Sequence, residues 1–185
     1  MRRTGNPALF GGLAIGLLVL DQLTKYWARH AAEFTEGRTI FPLWPGVFEL
    51  KLVFNKGIAF GMLQGGGILL APIAIIIGAA ATYYSFRQLR TATLIHVTMA
   101  LLVSGAIGNL IDRLVMGKVT DMFWIRVINF PVFNVADICI TVAGFLLAGT
   151  SLMEILRPAP TTKADPAPVL EPDEDVVEPR PETPA

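Results

Sequence analysis

Cysteine, histidine and charge are all scarce in this chain. A single cysteine, Cys139, among 185 residues excludes an intrachain disulfide. It lies inside an apolar run, where a thiol packs as a small hydrophobe rather than reacting. The two histidines, His30 and His96, are far apart in the sequence, so a zinc site lacks ligands and no metal or cofactor is implied. Ser104 has at most His30 on its side, too little for a Ser-His triad. The formal net charge is zero, which leaves no electrostatic footprint for nucleic acid. Only 16% of the residues are charged while 53% are hydrophobic. That balance is too apolar for an ordinary soluble domain and points to the membrane class.

A bilayer core asks for roughly 20 consecutive apolar residues per helix, and such stretches run over 8–28, 67–86, 91–111 and 132–153. The first, preceded by Arg2 and Arg3, has the look of a secretory signal. It nevertheless contains Asp21 and Lys25 and is followed by no small-x-small cleavage site, so it reads as a retained helix. The predicted fold class is therefore membrane all-α, a four-transmembrane-helix bundle. Only Arg87 to Arg90 separate the second and third spans, which forces an antiparallel hairpin.

Two longer segments, 29–66 and 114–131, lie on the other side. Within the first, Phe48, Leu50, Leu52 and Phe54 alternate with Glu49, Lys51 and Val53, the period-2 pattern of a strand over 47–55 with one apolar face. A small sheet on the membrane surface is the natural reading. Residues 158–185 carry 2 Lys+Arg against 7 Asp+Glu and are rich in proline, the composition of a disordered tail. The ordered unit is then 1–157. Arg2, Arg3, Arg87, Arg90, Arg157 and Lys163 fall on one side and Arg29, Arg38, Lys51, Lys56, Lys118 and Arg126 on the other. The count is even, but the first group crowds short segments while the second is spread over longer loops and diluted by acidic residues, which places both termini in the cytoplasm and 29–66 and 114–131 outside it.

Ionisable groups inside spans are functional-site hypotheses by default. Asp21 and Lys25 stand at i and i+4 near the end of the first span. Asn109, Asp112 and Arg113 share a face near the end of the third, and Asn134 and Asp137 stand at i and i+3 near the start of the fourth. Spans one and three exit on the side where span four begins, so all three clusters converge at one depth, with Asp121 of the 114–131 link on the same side. Bland readings stand beside this one: a lysine that snorkels outward beside Asp21, an Asp112–Arg113 ion pair closing a helix, a helix cap at Asn134, a plain turn at Asn55-Lys56-Gly57, an exposed carboxylate at Asp121. Asp137 resists them most, being a turn inside the membrane with no basic residue near it in sequence. Two carboxylates close together in a low-dielectric place share a proton, which suits them to hydrolyse an amide without metal. A transporter or proton-relay subunit uses intramembrane carboxylates too, but it calls for polar groups through both halves of the bilayer, and the inner halves here are apolar.

Five blocks, in order, resemble lipoprotein signal peptidase (signal peptidase II). They are Asp21-Gln22-Leu23-Thr24-Lys25, Asn55-Lys56-Gly57-Ile58-Ala59-Phe60, Gly105 to Arg113, Val119-Thr120-Asp121-Met122-Phe123 and Phe133-Asn134-Val135-Ala136-Asp137. The resemblance implies an aspartic endopeptidase of the bacterial cell membrane, multi-pass, with its site near the outer surface. It implies Asp121 and Asp137 as the catalytic pair, Asn109, Arg113 and Asn134 lining the site, and Asn55, Asp21, Lys25 and Gly108 as further substrate-binding positions. The implied substrates are prolipoproteins carrying diacylglycerol, cut immediately before the lipidated cysteine, with membrane lipid as surroundings, globomycin-type antibiotics as inhibitors and a monomer as the working state. The strand 47–55 looks like the family's outer sheet, a cradle for the substrate.

Overall fold

The structure is a computed structural model that describes residues 7–57, 70–87 and 93–156. The predicted acidic tail and residues 67–69 and 91–92 of the predicted spans lie outside the described residues. Four helices and three strands follow the order α1 (Pro7–Ala31), β1 (Thr39–Trp44), β2 (Phe48–Asn55), α2 (Ala71–Arg87), α3 (Thr93–Met116), β3 (Val119–Ile125) and α4 (Val135–Ile155), with a 3₁₀ turn at Arg126–Ile128. The protein is thus mostly helical, with one small antiparallel sheet.

Helices α1, α3 and α4 are long and apolar enough to cross a bilayer, whereas the 17-residue α2 is shorter among the described residues. The central element is α3, which packs against α1, α2 and α4 and buries twelve residues, among them His96, Asn109 and Asp112. On α1 the buried positions Phe10, Ala14, Asp21, Lys25 and Ala28 form one narrow stripe at helical spacing. Its other faces expose Ile15, Val19, Leu20 and Leu23, as expected where lipid is the solvent. The apolar core of Phe10, Ala14, Ala81, Met99, Ala100 and Val103 joins α1, α2 and α3, and a buried Ser85–His96 hydrogen bond of 2.8 Å links α2 to α3.

The element ends depart from the sequence expectation in instructive ways. The third helix runs on to Met116, beyond the predicted 111, because Asp112 finds partners inside the protein. It stops at Gly117, whose left-handed φ of +69° suits a helix end and whose N–H reaches the Arg113 carbonyl. The fourth helix begins at Val135 rather than 132, because Phe133 is extended and bridges to Phe123. The strand predicted over 47–55 is present as Phe48–Asn55, and the sheet also holds two strands the periodicity did not mark, β1 and β3. Their order is β1-β2-β3, all antiparallel. Leu52 and Phe54 pack onto Ala32 at the end of α1, which seats the sheet on the helix ends.

Close approach between α3 and α4 depends on a missing side chain. A Cβ on Gly105 would lie 2.5 Å from the Ala136 carbonyl oxygen and 2.6 Å from Ile140 Cγ1, one contact being backbone that cannot rotate away. Gly105→Ala is expected to cost about 1–3 kcal/mol by overpacking, read as a lower midpoint of thermal unfolding in detergent. An unchanged midpoint would show that α4 is not held against α3 at this point.

Candidate active site

Three helix ends and the sheet meet at one depth. Asp21 and Lys25 come from α1, Gly108 to Arg113 from α3, Asn134 to Asp137 from the start of α4, and Asp121 from the middle of β3. The strand places Asp121 among buried residues: Val119, Thr120, Asp121 and Met122 are all sealed from solvent, so the predicted link contains an ordered strand exactly where the carboxylate sits.

Asn134 joins the two carboxyls that the sequence singles out. Its side-chain amide donates 2.7 Å to Asp121 Oδ1, 3.1 Å to Asn109 Oδ1 and 3.3 Å to the Thr120 carbonyl. Its Oδ1 accepts the Asp137 N–H at 2.9 Å, while its own N–H donates to Asp137 Oδ2 at 3.1 Å. This reciprocal pair is a capping box on α4, so Asn134 is both the helix cap and the bridge between the aspartates. Asp137 Oδ1 receives a second donor, Asn109 Nδ2, at 2.8 Å.

The orientation of Asn109 follows from a charge behind it. Lys25 is fully buried, and it donates to Asp21 at 2.9 Å, to Asn109 Oδ1 at 2.9 Å and to the Gly108 carbonyl at 3.3 Å. An ammonium is donor only, so Asn109 must turn its oxygen to Lys25 and its N–H₂ to Asp137. The lysine points inward and does not snorkel. Asp21 Oδ1 accepts the Ala136 N–H at 2.9 Å, tying α1 to the first turn of α4. Gly108 makes room for this: a Cβ there would lie 2.5 Å from Asp21 Oδ2.

Asp112 faces away from Arg113. It accepts the Thr120 N–H at 2.8 Å, lies 3.5 Å from Arg29 Nη1 and 3.8 Å from Lys25 Nζ, so it anchors β3 to the helices. Arg113 donates to the Asn109 carbonyl at 3.3 Å, and its buried Nε has no hydrogen-bond partner among the described residues. Asn55, at the end of β2, accepts the Gly57 N–H at 3.0 Å, and its side chain lies near enough to Asp121 to favour the ionised carboxyl there, so it is a turn and a site neighbour together. Arg29, Thr120 and Gln22 were not expected here. Arg29 Nη1 donates to Thr120 Oγ1 at 2.9 Å, and Gln22 Nε2 to Asp21 at 3.0 Å and to the Gly108 carbonyl at 3.1 Å. The four-residue spacing of Asp21, Lys25 and Arg29 was the available signal.

Burial and then the nearby Asp137 charge push the Asp121 carboxyl up to about 8, against the pull of the Asn134 hydrogen bond and of nearby Asn55. It therefore holds a proton at neutral pH. Among the described residues no group of three or more His, Cys, Asp and Glu could hold a metal ion.

Residues 13–153 match the family described as signal peptidase (SPase) II. Over 152 residues the chain is 40% identical to the lipoprotein signal peptidase of Gloeobacter violaceus, covering 82% of this chain and 86% of that one. It is 41% identical over 138 residues to that of Symbiobacterium thermophilum, with coverages of 73% and 88%. A bacterial membrane enzyme solved by the in meso method at 2.3 Å superposes with a TM-score of 0.78 at 28% identity, over 86% of this chain and 97% of that chain.

Breaking one side of a buried ion pair costs about 3–5 kcal/mol because the other charge is stranded. Lys25→Met is expected to destabilise the folded protein by that order, and Asp21→Asn in the same chain to recover part of the loss. Unfolding in detergent of both singles and the double measures this coupling. Additive losses would mean that the two residues do not act as a pair.

Proposed function

The chain belongs to the signal peptidase II family, and from that premise we propose that it removes signal peptides from diacylglyceryl-modified prolipoproteins, cutting before the lipidated cysteine with Asp121 and Asp137 as an aspartic catalytic pair. The observation that carries this reading is the shared Asn134, which holds one aspartate through its side-chain N–H₂ and the other through its backbone N–H and side-chain oxygen.

The two carboxyls differ in surroundings, and the difference assigns their roles. Asp137 accepts an N–H on each oxygen at the positive end of α4, bonds that stabilise a carboxylate without removing the cost of its burial. Asp121 is the protonated partner. Asp137 takes a proton from a water that attacks the scissile carbonyl carbon, while Asp121 gives its proton to the carbonyl oxygen. When the tetrahedral intermediate collapses, the C–N bond breaks, the proton on Asp137 passes to the leaving amine, and Asp121 recovers its own from the hydroxyl. Arg113 Nε, without a hydrogen-bond partner among the described residues, is a donor for a substrate carbonyl. Asn55 steadies Asp121, and Asp21, Lys25 and Gly108 act through their neighbours by holding Asn109 and α4 in place.

We read α2 as the fourth span, with 1–157 as the peptidase domain and 158–185 as an acidic cytoplasmic tail. The enzyme then lies in the bacterial cell membrane with its site near the outer surface and its substrate's acyl chains left in lipid. Single cysteines at Thr4 and Thr162, in a Cys139→Ser background, are expected to resist an impermeant reagent added to intact cells. Labelling of either from outside would reverse the orientation.

Asp121→Asn and Asp137→Asn are each expected to lower cleavage of a diacylglyceryl prolipoprotein by at least about 10²-fold, the lower bound for a positioned acid or base. Wild-type turnover in either, free of host enzyme, would remove the pair. Since Asp121 works protonated, the wild-type rate is expected to fall as pH rises through about 8, measured on the purified enzyme in detergent. A rate still rising well above that pH would move the acid to another group.

A further inference from the structure

One end of the sheet carries large apolar side chains that the protein leaves uncovered. Leu43 and Trp44 at the end of β1 are 52% and 67% exposed, and Val127 and Ile128 in the 3₁₀ turn after β3 are 63% and 67% exposed. The two turns are stitched into one tip. The N–H groups of Arg126 and Val127 reach the Val47 carbonyl at 2.8 and 3.4 Å. Behind them the buried Glu49 carboxylate accepts Arg126 Nη1 at 2.7 Å and the Gly46 N–H at 3.1 Å. Those bonds, the Arg126 one foremost, hold the Glu49 carboxyl below the usual carboxylate range, so the staple stays charged at neutral pH. Left-handed Gly46 (φ +76°) and Asn129 (φ +47°) close the two turns. A tip so braced presents its side chains with little ordering left to lose on contact.

Its position limits what it can touch. After Asn129 the chain doubles back, and Phe133 pairs with Phe123 just before the Asn134 cap of α4. Seven residues separate Ile128 from Val135, so the tip stands at most about 25 Å from the point where α4 begins. The exposed apolar surface of α4, with Ile138, Ile140 and Val142, starts at that point. A rigid apolar tip with a tryptophan, set this close to a lipid-facing helix and backed by a half-exposed arginine, has the composition of an interfacial anchor.

We propose that Leu43, Trp44, Val127 and Ile128 form a membrane-interface anchor that inserts into the boundary between headgroups and acyl chains of the bilayer that α4 crosses, and so fixes the height of the sheet, and of Asp121 on it, above the membrane. The proposal goes beyond the peptidase reading and stands without it.

The test uses the three tryptophans. In the full chain, Trp27→Phe with Trp124→Phe leaves Trp44 as the sole emitter, reconstituted in phosphatidylcholine nanodiscs with or without bromine on the upper acyl carbons. Bromolipid is expected to quench Trp44 at least about twofold, and Val127→Asn with Ile128→Asn in that background to remove most of the quenching. A nitroxide on Val127→Cys in a Cys139→Ser chain, which retains all tryptophans, is expected to be relaxed more by oxygen than by a water-soluble nickel chelate. Unquenched, water-like Trp44 emission with a nickel-accessible label would overturn the anchor. An emission change seen only on adding a prolipoprotein would assign the tip to substrate, and one that depends on protein density in the disc would assign it to a second copy; either result overturns it equally.

Discussion

A lysine ammonium with no exposure to solvent sets the terms for everything around it. Taken out of water, it requires an opposite charge and acceptors for its protons, and Asp21, Asn109 Oδ1 and the Gly108 carbonyl supply them. Each of these demands has a structural result. Asp21 must lie against α3, which only a residue without a side chain at 108 permits. The Asn109 oxygen must face Lys25, which commits its N–H₂ to Asp137. The lysine thus fixes, through one amide, the geometry of a carboxyl it does not touch. Asn134 Nδ2 donates to the same oxygen, and an apolar residue at position 25 would leave that neutral bond as the one constraint described on the amide's orientation.

Asp137 has two duties that reinforce one another. As the third residue of α4 it closes a capping box with Asn134, which satisfies N–H groups at a helix start where a membrane offers few alternatives. As a carboxyl it receives one of those N–H groups, that of Asn134, together with Asn109 Nδ2. Capping and the surroundings of the carboxyl therefore share the Asn134 bond, and the start of α4 cannot shift without moving Asp137. The Ala136 N–H bound by Asp21 extends the same logic to α1.

Much of this was legible in the sequence, for definite reasons. Apolar runs long enough to span and strictly placed polar residues survive any uncertainty about packing, so the convergence of Asp21, Asn109, Asn134 and Asp137 followed from topology alone. The strand at Phe48–Asn55 was legible because one face is apolar. The strand at Val119–Ile125 was not, because it is buried on both faces near Asp121 and shows no alternation, although its Val, Thr, Phe, Trp and Ile content is strand-like. Partner choice was also hidden. Sequence adjacency suggested Asp112 with Arg113, whereas helical geometry turns neighbouring side chains about 100° apart and gives Asp112 to Thr120 and Arg29.

The charge count of the site closes the argument. Three cations, Lys25, Arg29 and Arg113, stand near four carboxyls, Asp21, Asp112, Asp121 and Asp137. Fully ionised, the cluster would carry one uncompensated negative charge in a place where burial already opposes charge. One proton makes it neutral, and Asp121 is the carboxyl suited to keep it. It is sealed by burial and faces the charge of Asp137, while Asp21 and Asp112 have cations beside them and Asp137 has a donor on each oxygen. The lone proton is thus a consequence of how the helices pair their charges. It sits on the one carboxyl of the four carried by the sheet, so the helices, by pairing their own charges, set the protonation of a residue on another element.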